Sequence, residues 1–362
     1  MLRSRFLLLM LCALSATGGA LAQSSADLVS AARREGRVVI YSVLSNKAAA
    51  PLVAGFKALY PGIEVDYDGE GGSNEVDERF RGEVAAGKPS ADVMWSSAMD
   101  LQMKLVVDGY AAHYESPERG ALAAGLNFED RAWGTTREPV VFAYNRRLLP
   151  IDAVPRDHAA LVRALRDPAG PLRDKVTAFD IEKSGVGFMF AAQDAAQNPA
   201  FDELLLALGA GGLKQSPGTG AMLADIHAGR SLLGYNIMGA YALSRSRKDL
   251  PDLAVVMPSD YTLVLSRVML VSLHAPHPNA ARLWADYLLS RHGQQIVADA
   301  LELFSVRSDV SGEHSGAALD ARLGANGRLI SVDTRLADTL VPARHDALVQ
   351  RWRTSLQRGA AQ

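Results

Sequence analysis

The sequence predicts an α/β protein built as two lobes, each a mostly parallel sheet flanked by helices, with long strands joining them. Three features carry the prediction. Residues 38–109 read strand then helix three times in succession. A second alternation begins near residue 140, and Pro150, Pro155, Pro168 and Pro171 punctuate the chain as it settles there. Finally, a chain of 362 residues usually makes two domains.

Residues 1–22 stand outside that pattern. Arg3 and Arg5 form a basic start, Phe6 to Ala16 an apolar stretch, and Ala20-Leu21-Ala22 a small-x-small cleavage site. That is a secretory signal peptide and predicts export to the periplasm. The stretch is shorter than the roughly 20 apolar residues of a membrane span, and no later segment reaches that length. The single cysteine, Cys12, lies in the leader behind Leu11. The mature chain then has no thiol for a disulfide, a metal site or a nucleophile. The 38 Lys and Arg include Arg3 and Arg5, so beyond the leader 36 cations face 40 Asp and Glu, a net charge of −4. That balance opposes a nucleic-acid or polybasic membrane role.

The first strand is the β-branched run Val38-Val39-Ile40-Tyr41, followed by a loop with Ser42, Ser45 and Asn46. Leu52, Val53, Phe56 and Leu59 then give Ala48 to Tyr60 an apolar helical face, ended by Pro61-Gly62. Ile63, Val65 and Tyr67 alternate with acidic residues as a second strand. Val76, Phe80 and Val84 mark the next helix, Ala91 to Trp95 a third strand, and Leu101, Leu105 and Val106 the helix after it. In the second half, Val140 to Tyr144, Val176 to Phe179, Ser231 to Tyr235 and Leu253 to Met257 are strands. Gly185 to Gln197, Phe201 to Leu208 and Ala221 to Ala228 are helices. Leu263 to Leu273 is long enough to return from one lobe to the other. Asn279 to Ser290 is an amphipathic helix with Trp284, Tyr287 and Leu288 inward. A Gly- and Ser-rich linker, Ser311 to Gly327, precedes a last helix carrying Leu348 and Trp352.

The loops that leave strands share a chemistry. Ser42 and Ser45 follow the first strand, Gly72-Ser73 the second, Ser96-Ser97 the third, and Ser184-Gly185 the strand at 176–179. Each places a small hydroxyl residue, often beside glycine, where a helix begins and its free N–H groups and positive dipole end point outward. Such loops occupy the carboxyl edge of a parallel sheet, where ligands sit, and together hold an anion with neutral donors. Arg137, just before a crossing strand, is the charged candidate; Arg267, inside an apolar run, needs a ligand anion or a buried carboxylate as partner. Tyr235, Asn236 and Tyr241 cluster at a strand end in the second lobe. No G-x-S-x-G elbow, Walker A loop or G-x-G-x-x-G occurs, and the close pair His274 and His277 reads as a solvated loop.

These residues resemble a known family, the periplasmic solute-binding proteins of ABC importers, in the branch that includes ferric-iron, sugar-phosphate and phosphonate binders. The resemblance covers about residues 36–306. It rests on V-V-I-Y-S at 38–42, G-G-S-N-E at 71–75, A-D-V-M-W-S-S at 91–97 and P-V-V-F-A-Y-N at 139–145. K-S-G-V-G at 183–187, A-G-R-S-L-L-G-Y at 228–235 and the run from His277 to Gln295 complete it. It implies two lobes joined by hinge strands that close on one ligand without catalysis. The expected boundaries are 23–138 plus 265–303 for one lobe and 139–264 plus 304–362 for the other. The resemblance also implies that iron-binding members place a His at Ser45, or at Asn46 with a one-residue shift, a Glu at Ser97 and a Tyr-Tyr pair near Gly239-Ala240, where this chain lacks anionic oxygens. Ser184 and Gly185 match the positions that hold the companion anion in those relatives.

The reading that follows is a monomeric, cofactor-free importer component binding a small anionic solute, with a phosphate ester or phosphonate favoured and no resident metal. Ser42, Ser45, Ser73, Ser97, Arg137, Ser184, Gly185, Tyr235 and Asn236 are its candidate ligand contacts. Alternatives are a metal-complex binder, a secreted hydrolase, or a ligand sensor for a membrane kinase in place of a permease.

Overall fold

The computed structural model describes residues 26–362; the leader expected at 1–22 lies outside them. In chain order the strands are β1 (Arg37–Ser42), β2 (Glu64–Asp68), β3 (Val93–Ser96), β4 (Asn127–Phe128), β5 (Ala132–Gly134) and β6 (Glu138–Asn145). They continue with β7 (Val176–Phe179), β8 (Lys214–Ser216), β9 (Leu233–Met238), β10 (Leu253–Val256), β11 (Thr262–Leu265), β12 (Val268–Val271) and β13 (Gly327–Leu329). They form two helix-flanked sheets: β2-β1-β3-β12-β5-β4, and β13-β11-β6-β9-β7-β8 with β10 also on β6.

Both sheets are mixed, which corrects the expectation of mostly parallel ones. Parallel pairing holds within β2-β1-β3 and β9-β7-β8, where crossover helices return the chain to the same edge, and between β11 and β13. The strands that cross between lobes run the other way: β12 is antiparallel to β3 and β5, and β6 to β9, β10 and β11.

Two short crossings join the sheets, β5 to β6 through residues 135–137 and β11 to β12 through Ser266-Arg267, and the chain passes between them a third time on its way from β12 to β13. The single strand expected at Leu263–Leu273 is therefore two, broken where one polar and one charged residue interrupt the apolar run. The two short crossings are tied to each other. The Thr135 amide donates to Arg267 O at 2.9 Å, the Arg267 amide to Thr136 Oγ1 at 2.8 Å, and Ser266 Oγ to Thr136 O.

The first lobe's core forms because the apolar faces read from the sequence meet the sheet. Val38, Ile40, Leu52 and Phe56 are buried, and Phe56 packs its ring 5.1 Å from Trp284 and 5.4 Å from Tyr287. The strand expected at Ser231–Tyr235 is β9, shifted to Leu233–Met238 and buried throughout. Among the helices that fall where none is expected are 26–35, His158–Arg166 and Gly316–Leu323. The second sits in the charged stretch; Asp157 caps it through the Ala160 amide, and Leu161, Val162 and Leu165 turn inward. The third replaces part of the expected linker and is capped by Ser315. The last helix, Pro342–Ala360, packs on Phe201–Ala210 and buries Trp352. Among the described residues no helix is long and apolar enough to cross a membrane.

Candidate functional site

The carboxyl ends of β1, β2 and β3 lead into the helices Asn46–Leu59, Ser73–Ala85 and Met99–Val107; in the second lobe β7 leads into Gly185–Gln197. The helices starting at Ser73, Met99 and Gly185 pack against one another at their first turns, so the lobes meet there. Gly185 marks the tightest point. A Cβ added to it lies 2.6 Å from Asn74 Oδ1, 3.0 Å from Leu101 Cδ1 and 3.0 Å from Ser73 Oγ. The backbone of one lobe touches side chains of the other only because this position has no side chain.

Around that seam Ser42, Ser97 and Ser184 are buried and Ser73 half-buried. Ser184 Oγ caps its helix by accepting the Gly187 amide at 3.3 Å, and Ser42 Oγ accepts the Leu44 amide at 3.1 Å. A hydroxyl that accepts such a bond still has its own proton to donate. Ser73, Ser184 and Gly185 thus come together in space, with Ser97 at the approach to the helix that carries Leu101. Beside the seam, a pocket of about 190 Å³ is lined by Tyr41, Asp68, Glu70, Gly71, Glu75, Val76 and Arg79. Its cation is taken: Arg79 pairs with Asp68 at 2.5 Å and Glu83 at 3.1 Å.

Four expected contacts lie elsewhere. Ser45 is an exposed helix cap, accepting the Ala48 amide at 3.4 Å. Arg137 turns away from the seam to Asp320 on the Gly316–Leu323 helix, with Nη1 to Oδ2 at 3.0 Å; its charge belongs to a carboxylate that the sequence places 183 residues later. Tyr235 and Asn236 face the interior of the second lobe, where three donors converge on buried Asp194. Tyr235 OH donates to it, Asn236 Nδ2 reaches Oδ2 at 2.6 Å, and Tyr261 OH reaches Oδ1 at 2.8 Å. Burial first, then the nearby Asp194 charge, push the Tyr235 phenol well above its usual range. Tyr235→Phe removes one donor from a buried carboxylate. We expect a loss of roughly 1–3 kcal/mol in chemical denaturation, with ligand affinity unchanged.

Arg267 is the residue whose partner the sequence left open. It is 5% exposed, and its Nε lies 2.9 Å from Oε1 of fully buried Glu138, which also accepts Thr136 Oγ1 at 2.9 Å. The two histidines are not equivalent. His277 is tied to buried Asp92 by its amide at 2.7 Å and Nδ1 at 2.9 Å, correcting the solvated-loop reading, while His274 stands near the Tyr110 ring. Tyr241 is exposed and accepts Arg245 Nη1 at 2.9 Å. Gly239 and Ala240 are buried at a helix start and supply no anionic oxygen. Among the described residues one group has metal-ligand spacing, His113, Glu115 and Asp130. Its two carboxylates are ion-paired with Arg119, and it lies by the β4–β5 turn at the sheet edge opposite β2.

Two lobes tied by crossing strands, with donors from both meeting at a seam, are the arrangement of a ligand-binding protein. The chain belongs to the bacterial extracellular solute-binding proteins, whose family model matches residues 42–295. Among solved structures it is similar to the substrate binding protein of the ABC transporter from Agrobacterium tumefaciens, with 34% identity, 88% of this chain and 94% of that one covered, and a TM-score of 0.82. It is therefore a solute-binding protein. A fold likeness alone extends to the periplasmic binding protein AfuA from Actinobacillus pleuropneumoniae with fructose-6-phosphate bound (21% identity, 89% and 99% covered, TM-score 0.71). It extends also to iron-bound HitA from Pseudomonas aeruginosa (16% identity, 88% and 99% covered, TM-score 0.68). No curated protein matches the sequence.

Proposed function

We propose that this protein captures a small anionic organic solute at the seam, with phosphate esters and phosphonates favoured, and presents it to an ABC permease. The two lobes, 23–138 with 265–303 and 139–264 with 304–362, close on the ligand about the crossings at 135–137 and 266–267. The observation that supports this best is the approach of Gly185 to Ser73 and Asn74 across the lobes. Helix first turns and serine hydroxyls from both sides then surround one anionic group, a geometry that exists only when the lobes are together. A fructose-6-phosphate-bound structural neighbour agrees with the class. Ferric iron is disfavoured by chemistry: a hard trivalent cation needs anionic oxygens, and Ser45, Ser97, Gly239 and Ala240 offer none.

A thermal-shift panel of sugar phosphates, phosphonates, dicarboxylates, amines and ferric citrate tests the reading. Ligand at 100 times its Kd adds roughly 2.7 kcal/mol to stability. A shift with a phosphorylated compound is the expected result; a shift with ferric citrate or an amine alone overturns the ligand class.

A further inference from the structure

The crossing segments hold a charge that the seam's neutral donors do not explain. Arg267 sits between β11 of the second sheet and β12 of the first, 5% exposed. One side of its guanidinium faces Glu138, the first residue of β6, with Nε 2.9 Å from Oε1 and Nη2 3.4 Å from Oε2. Next to Arg267, the Ser266 amide donates at 3.3 Å to Sδ of Met99, the first residue of a helix that meets the seam, and Tyr67 OH donates to Leu44 O at 2.8 Å in the loop after Ser42. Among the described residues neither Nε nor Nη1 has a hydrogen-bond partner, Nε meeting Oε1 only as an ion pair, whereas Glu138 is fully enclosed and engaged by Thr136 and Nη2. A guanidinium carries five donors, and a carboxylate on one edge leaves the rest for a second anion.

We propose that Arg267 is the charged ligand contact of this protein, held at the base of the seam by Glu138, so that the solute's anionic group and Glu138 share one guanidinium. This rests on the reading of the seam as an anion site and names the residue that supplies its charge. The ligand's anion, entering beside Ser42, completes the donor set of a cation that otherwise has a free edge in a nearly dry place. Because Arg267 and Glu138 both belong to crossing segments, a ligand bound there is tied to the elements about which the lobes move. And because Glu138 already offsets one charge, the site discriminates by hydrogen-bond geometry, taking a planar carboxylate or a phosphoryl group on the open edge and rejecting the uncharged parent compound.

Isothermal titration of the full mature chain with fructose 6-phosphate, methylphosphonate and citrate, each beside its uncharged analogue, tests this. Replacing both partners, Arg267→Gln with Glu138→Gln, leaves no unpaired buried charge, so the fold is retained and affinity can be read. The expected result is at least a 30-fold loss of affinity for the anionic probe that wild type binds, a weaker salt dependence, and collapse of the preference over the uncharged analogue. Glu138→Gln alone, which leaves the guanidinium charge undivided, should tighten that probe severalfold. A double variant that binds the anion as wild type does, or a Glu138→Gln protein that binds it no tighter, overturns the assignment while leaving the seam reading in place. A wild-type protein that binds none of the three anions overturns the seam reading, and this assignment with it.

Discussion

Gly185→Val should leave the unliganded protein folded and lower its ligand affinity by roughly ten- to a hundredfold, a change of about 1.4–2.8 kcal/mol. The side chain would start 2.6 Å from Asn74 Oδ1 and 3.0 Å from Leu101 Cδ1, both in the opposite lobe. Overpacking a closed contact of this kind costs roughly 1–3 kcal/mol. In an open form the same side chain stands at the exposed start of its helix and meets nothing. The cost therefore falls on the closed state alone and shifts the population toward the open one. Small-angle scattering should show a larger radius of gyration for the variant, and denaturant unfolding of the unliganded chain should be nearly unchanged. If affinity is retained, the lobes do not close through this contact; if the unliganded variant unfolds easily, the clash is within the fold and not between open and closed forms.

Asp100→Asn should stabilise the protein at pH 8 and do nothing at pH 4. Asp100 is fully buried at the second position of the Met99–Val107 helix, its Oδ1 accepting the Leu101 amide at 2.9 Å and its Oδ2 without a partner. Burial, only partly offset by that amide, raises its pKa from 3.8 to about 7, and the neighbouring Asp77 pushes the same way. In the unfolded chain the carboxyl ionises near pH 4. Its protonated form therefore supports the fold fully below that pH, and the support fades as pH rises through about 7. A rise of that size corresponds to roughly 4 kcal/mol at most, so a gain of about 2–4 kcal/mol for the asparagine variant above about pH 7.5 is expected. Asp286, half-buried and hydrogen-bonded by Tyr114 and Ser116, is raised to about 6 and adds a loss in the same direction over a lower window. Wild type should accordingly be more stable at pH 5 than at pH 8. Urea midpoints of both proteins at pH 4, 6 and 8 decide it: curves that stay parallel across the range would show that Asp100 is ionised in the folded state.

Much of this molecule is legible in its residues alone. The strand–helix alternation at 38–109 depends on local spacing, and local spacing survives folding, so β1 to β3 and their helices fall where the residues place them. The helix starts near Ser73, Ser97 and Ser184-Gly185 are legible for the same reason, although only Ser184 caps its helix with its side chain and Gly72 and Ala98 stand at the other two caps. Boundaries failed where tertiary contact overrode local preference. The Ser266-Arg267 break is set by the crossing to Thr135 and Thr136, and the charged 158–166 stretch became a helix once its apolar side met the second core.

Side-chain partnership was a different matter, and here the site residues divide. By itself the sequence determined the two-lobed α/β class, the order of the elements and which loops present hydroxyls and helix starts, because each depends on residues only a few positions apart. Only the tertiary structure decided which charges are available. Arg137 and Arg267 look alike along the chain. One is matched to Asp320 across 183 positions, and the other to Glu138 across 129 positions. Charge pairing acts through space over a few ångströms and falls off within them. No pattern along the chain reveals which carboxylate each arginine meets.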